Sequence, residues 1–180
     1  TYRFYITAGG KPAILLVTDN GQISHTFNTD IRIGAWAHIS LVLDEEKDTV
    51  GFYLDGQLKE TATVDDFSLP APCSAFCVGN DNSATSSSYF KGYIRSLTMF
   101  SDVRTQSELI SDMEGVSADD AALISDYSFA NGYNKNISDN SENGYTLKNL
   151  GWLDEAEPLD EYAYSFAVIG DTQIVTEGFP

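Results

Sequence analysis

A chain of 180 residues with 42% hydrophobic and 21% charged content is long enough for one domain with its own core, and it is not compositionally disordered. Ten Lys and Arg face 27 Asp and Glu, and the formal net charge of −17 argues against nucleic acid and anionic lipid as partners, since both would be repelled. No stretch approaches the roughly 18 continuous apolar residues of a membrane span, so direct membrane insertion is not expected.

Residues 1–6 read as a strand with no initiator methionine or leader before it, as in a piece of a longer chain. Residues 12–18 and 22–28 flank Asp19-Asn20-Gly21, a hairpin signal, because Asn-Gly accepts positive φ at little cost. In 36–43, Ala37, Ile39, Leu41 and Leu43 share one face. Trp36, His38, Ser40 and Val42 share the other, which suits a strand inside a sandwich. Trp36 and Trp152 are expected in the core. The run Asp44-Glu45-Glu46-Lys47-Asp48 is the densest in acids and reads as a solvated turn at a strand end.

Residues 49–54 and 57–64 are joined by Asp55-Gly56. A two-residue turn pairs Leu54 with Gln57 and Tyr53 with Leu58, and predicts Tyr53, Leu58, Ala62 and Val64 on one face. After Pro70 and Pro72, residues 75–79 read as a short strand. The polar, serine-rich stretch 81–88 reads as an exposed loop, and 89–100 as a long strand or a bent pair. Cys73 and Cys77 lie roughly 13 Å apart if extended, too far for a disulfide, so both are read as buried thiols.

One helix is well signalled. Thr105-Gln106-Ser107-Glu108 has capping-box spacing, Leu109, Ile110 and Met113 supply an apolar face, and Gly115 can close the helix. A second helical turn is expected near 118–122, a strand at 123–130, and a loop over the Asn-, Ser-, Asp- and Gly-rich stretch 131–143. After Trp152 the composition shifts. Residues 153–162 form an acidic linker containing Pro158, and 165–169 run apolar without alternation, as a strand buried on both faces does.

These elements define an all-β fold with one short helix. The runs 36–44 and 50–56, then Val78-Gly79-Asn80, residues 90–100, the helix after them and Asp139-Asn140-Ser141-Glu142-Asn143-Gly144 resemble, in that order, the laminin-G-like branch of the concanavalin A-like lectin/glucanase group. That resemblance covers residues 1–152. It implies an antiparallel jelly-roll β-sandwich, and a place in an extracellular or cell-surface protein, by implication bacterial. Family members usually begin with strands upstream of the position that is residue 1 here.

The tail is similar to something else. Phe166-Ala167-Val168-Ile169-Gly170-Asp171-Thr172-Gln173 resembles the first motif of calcineurin-like metallophosphoesterases, with Gln173 where that family usually has His. The resemblance implies that 163–180 open a downstream catalytic domain in cis. In that domain Asp171 and Gln173 would belong to a two-metal site whose other ligands lie further on.

Chemistry within the sandwich is poorly signalled. No carboxylates stand at alternate strand positions as a glycosidase requires. His38 and Ser40 share a face without a nucleophile turn and read as structural. Binding of a carbohydrate or glycoconjugate is the preferred function. Its expected contacts are loop residues Asn80, Asp81, Asn82, Tyr89, Tyr133 and Asn134, with Asn136 beside them. The alternatives are a structural spacer or protein-interaction domain and, less favoured, a glycoside hydrolase on the same fold. Calcium is the candidate cofactor, with Asp126, Asp139, Asn140 and Asn143 as oxygen donors.

Overall fold

The computed structural model describes residues 2–18, 21–31, 34–65, 67, 76–79, 90, 92–130, 136–148 and, for their backbone only, 163–166. Three strands, β1 (Tyr2–Ile6), β2 (Pro12–Thr18) and β3 (Gly21–Thr26), form one antiparallel sheet in that order. Thr18 pairs with Gly21, so the hairpin closes over two residues as its sequence indicates. Opposite it lies an antiparallel meander of β4 (His38–Asp44), β5 (Thr49–Leu54) and β6 (Gln57–Thr63).

The core forms between these layers. Ile14 and Leu16 of β2 meet Ile39, Leu41 and Leu43 of β4 and Val50, Phe52 and Leu54 of β5. Phe27, fully buried, stacks on Phe52 with ring centroids 5.1 Å apart. At the edge, His25 Nε2 lies 2.8 Å from Glu60 Oε1, and Asn28 N donates to Glu60 Oε2, which ties β3 to β6 across the layers.

The turn between β5 and β6 follows from its residues. Asp55 (φ 52°) and Gly56 (φ 70°) both adopt the left-handed conformation that a two-residue hairpin needs. Tyr53 pairs with Leu58 and Leu54 with Gln57, as the sequence indicates. A register shift between Phe52 and Tyr53 then pairs Phe52 with Glu60, so one residue of β6 is extra. A bulge of this kind reverses the phase of the pleat. Ala62 and Val64 therefore point into the core, while Tyr53 and Leu58 lie on the outer face, and the expected common face is divided.

Residues 89–100 resolve, where described, into the bent pair: β7 (Tyr93–Ile94) and β8 (Ser96–Phe100), broken at Arg95. β8 pairs antiparallel with β9 (Leu123–Ser128). Residues 76–79 are not a strand. Phe76 and Val78 instead pack on Leu97, Met99 and Tyr127, and Gly79 takes a left-handed φ of 80°. Cys77 is half-buried rather than buried, and Cys73 lies outside the described residues.

The helix α1 (Gln106–Asp112) starts on the capping box its sequence announces. Glu108 N donates to Thr105 Oγ1, and Thr105 N donates to Glu108 Oε2 at 2.7 Å. Only Leu109 of its apolar residues is buried; Ile110 and Met113 stay exposed. Ile110 crosses above Gly56 so closely that a Cβ there would stand 2.6 Å from its Cγ1. Residues 117–122 form single turns, not a second helix. The stretch expected as loop contains β10 (Asn136–Ile137), paired with β11 (Leu147–Lys148).

Strand β12 (Ala163–Phe166) pairs parallel with β7 through Ala163 and Tyr164, and parallel with β4 through Ser165 and Phe166. It stands between these two strands in a sheet ordered β6-β5-β4-β12-β7. Parallel neighbours need a long crossover, and the interval from β4 to β12 supplies one.

Candidate functional site

On the outer face of β4–β6 the alternation places Val42 and Asp44, then Thr49, Gly51 and Tyr53, then Thr61. The segment 101–105, held out by Phe100 and α1, rises beside them. Between these parts lies an open cavity of about 580 Å³. Its apolar floor is Val42 and the Tyr53 ring. Gly51 makes the floor possible, since a Cβ there would come within 3.0 Å of Tyr53 Cε2. The ring therefore lies over the glycine rather than standing off the sheet.

The rim is polar. Asp44 is buried, in contrast to the solvated turn expected there. It accepts from Lys47 N at 3.1 Å and from Lys47 Nζ at 2.5 Å. The side-chain bond from Lys47 is the main reason its carboxyl sits below the usual range. Burial pushes the Tyr53 phenol up, with the Lys47 charge opposing. Asp102 lines the other side. Its Oδ2 faces Arg104 Nη1 at 3.3 Å, whereas its Oδ1 is buried with no hydrogen-bond partner among the described residues.

Arg104 is the anchor of that wall. Its guanidinium lies 3.8 Å above the Phe100 ring. It donates to both oxygens of Asp112, at 3.1 and 3.0 Å, and to Asp120 at 2.8 Å. Burial works against its charge, but Asp112, Asp120 and Asp102 outweigh burial and hold it protonated more firmly than usual. The bidentate geometry suits guanidinium and would not suit lysine.

The residues expected from sequence fall in three groups. Asn80, Asp81, Asn82, Tyr89, Tyr133 and Asn134 lie outside the described residues, as do Trp152, Asp171 and Gln173 and the linker. Asp126, Asp139 and Asn140 do come together. Asp139 accepts from Asp126 N (2.8 Å), Ser141 N (2.9 Å), Ser141 Oγ (2.7 Å) and Tyr145 N (3.0 Å). Asp126 accepts from Thr98 Oγ1 and Asn140 Nδ2. Asn143 turns its amide to the carbonyls of Leu123 and Ile124 instead. Both carboxylates are thus engaged by protein donors in a latch that fastens 139–145 to β9, and no group of three or more metal-ligating His, Cys, Asp or Glu occurs among the described residues.

The third group is Trp36, His38 and Ser40, of which Trp36 overturns its expectation. Trp36 is 46% exposed rather than in the core, because β4 begins only at His38 and Trp36 precedes the covered face. Ser40 is fully buried, with Oγ 3.4 Å from His38 Nδ1, out of reach of any substrate. Burial lowers the His38 pKa, and Asp55 opposes it.

Tyr53, Thr49, Thr61 and Asp102 escape a reading of the sequence. The signal for Tyr53 is present in the alternation of β5, where a glycine two places before an aromatic leaves room for a ring to lie flat. The approach of 101–105 is set by tertiary packing and carries no local signal.

The family model described as the concanavalin A-like lectin/glucanases superfamily matches residues 1–110. No curated protein matches the chain. A solved structure of an S-layer domain-containing protein (residues 221–444) from Clostridium thermocellum is similar at 21% identity and a TM-score of 0.38. The match covers 61% of this chain and 54% of that one, so the chain spans about half the length of that relative.

Proposed function

This chain belongs to the concanavalin A-like lectin/glucanase superfamily, and from that premise we propose that it is a non-catalytic module whose cavity beside Tyr53 binds the sugar rings of a carbohydrate or glycoconjugate. One observation carries the reading: the Tyr53 ring, laid over Gly51, forms the floor of a cavity also lined by Thr49, Thr61 and Asp102. A pyranose has an apolar face and an edge of hydroxyls. A flat aromatic with polar groups around it answers both. The histidine–serine pair of His38 and Ser40 ends in a buried hydroxyl, which supports the non-catalytic reading.

The setting proposed for the module is an extracellular or cell-surface protein, as the family suggests. The phosphoesterase-like motif supports a catalytic partner in cis, and the test of that part is whether the gene continues past Pro180 into codons for further Asp, Asn-His and His ligands.

Calorimetric titration of the full chain with short neutral hexose oligosaccharides tests the binding reading. Saturable heat is expected with the wild type, and Tyr53→Ala should weaken binding about tenfold or more, since each tenfold is roughly 1.4 kcal/mol and a stacked ring carries at least that much through area and geometry. Absence of heat across the panel favours a spacer or protein-interaction domain. Wild-type affinity in Tyr53→Ala removes this cavity as the site.

A further inference from the structure

The cavity is lined by three carboxylates, Asp44, Glu46 and Asp102, against two cations, Lys47 and Arg104. We infer that its ligand is a neutral or amine-bearing sugar rather than a uronate, sulfate or phosphate ester, an inference that rests on the binding reading above. Both cations of the lining already face carboxylates. Lys47 is held by Asp44. Arg104 is 6% exposed and shared among Asp102, Asp112 and Asp120. A ligand anion would meet Lys47, 73% exposed, with its charge already offset by Asp44, and would reach the 6%-exposed Arg104 only by displacing Asp112 or Asp120.

Acceptors, by contrast, are in surplus. Asp102 lines the wall with its side chain 43% exposed, and its Oδ1 accepts from no donor among the described residues. Glu46 stands exposed on the rim. A ligand hydroxyl or ammonium would meet in Asp102 a carboxylate whose one polar contact among the described residues is the 3.3 Å approach of Arg104 Nη1 to Oδ2, and a charged acceptor makes the stronger kind of hydrogen bond. The whole-chain charge of −17 adds a longer-range field of the same sign, one that salt screens.

Three probes of equal length separate the outcomes: an oligoglucosamine, its N-acetylated form and an oligogalacturonate, titrated into the full chain at low and at physiological salt. The amine is expected to bind at least about tenfold more tightly than the uronate at low salt, with the gap narrowing as salt rises and the neutral form between them. Glu46→Gln, at an exposed position, should reduce the amine's advantage without loss of fold; Asp102→Asn should reduce it further. A uronate that binds as tightly as the amine overturns the inference while leaving the binding reading intact. No heat with any of the three removes the binding reading, and this inference with it.

Discussion

Replacing Arg104 by alanine is expected to cost about 3–5 kcal/mol of stability, the range for breaking a buried ion pair from one side. The loss has three parts. Asp112 and Asp120 keep their charges but lose the guanidinium that holds them at 2.8–3.1 Å. The Phe100 ring loses the planar cation 3.8 Å above it. The segment 101–105 loses its tie to α1 and to the turn at Asp120. Arg104→Lys should recover only part, because an ammonium cannot bond both Asp112 oxygens in one plane. Chemical denaturation of both variants reads this directly, and a loss below about 1 kcal/mol for alanine would show the network to be a surface ornament.

The pH dependence of that variant has a definite sign. Burial is the main cause of the raised pKa of Asp112, and Arg104 pulls the other way. Without Arg104 the carboxyl rises further. A carboxyl with a folded pKa above its unfolded value supports the fold below the unfolded value, and that support is lost as pH rises through the folded one. The deficit of Arg104→Ala should therefore be largest near neutrality and shrink as pH falls toward the carboxylate range.

Asp139→Ala is expected to cost about 3 kcal/mol. One carboxylate receives four donors, three of them backbone N–H groups of residues 126, 141 and 145. Each buried donor left unpaired costs on the order of 1–3 kcal/mol, less whatever water recovers at a half-buried site. The same variant decides the role of the latch. If the donors hold it, the loss in melting temperature is the same with calcium and with chelator. A wild type that melts higher in calcium, with the gain abolished by Asp139→Ala, would place an ion there.

Much of the fold was legible because its local chemistry is unambiguous. Asp55-Gly56 can adopt two consecutive left-handed residues, and that alone sets the pairing of Tyr53 with Leu58. The capping box at Thr105 and Glu108 begins the helix where both residues can satisfy each other. The division of Tyr53 from Ala62 was not legible, since a bulge depends on how β6 meets the opposite sheet and leaves no residue signature here. Trp36 misled because strand alternation was extended two residues too early. The floor of the cavity was half visible, in the Gly51–Tyr53 spacing. Its wall was invisible: Asp102 reaches the site through the packing of Phe100 and Leu109 onto Val42, a contact between segments some 60 residues apart.

Amide-shift mapping of the isotopically labelled chain during titration with the N-acetylated oligosaccharide bears most directly on the cavity as the binding site. Shifts are expected to centre on Thr49, Gly51, Tyr53 and Thr61 and to extend to Asp102. Saturable shifts confined to Trp36, or to the loop residues Asn80–Tyr89 and Tyr133–Asn134, with Gly51 and Tyr53 unmoved, would contradict it.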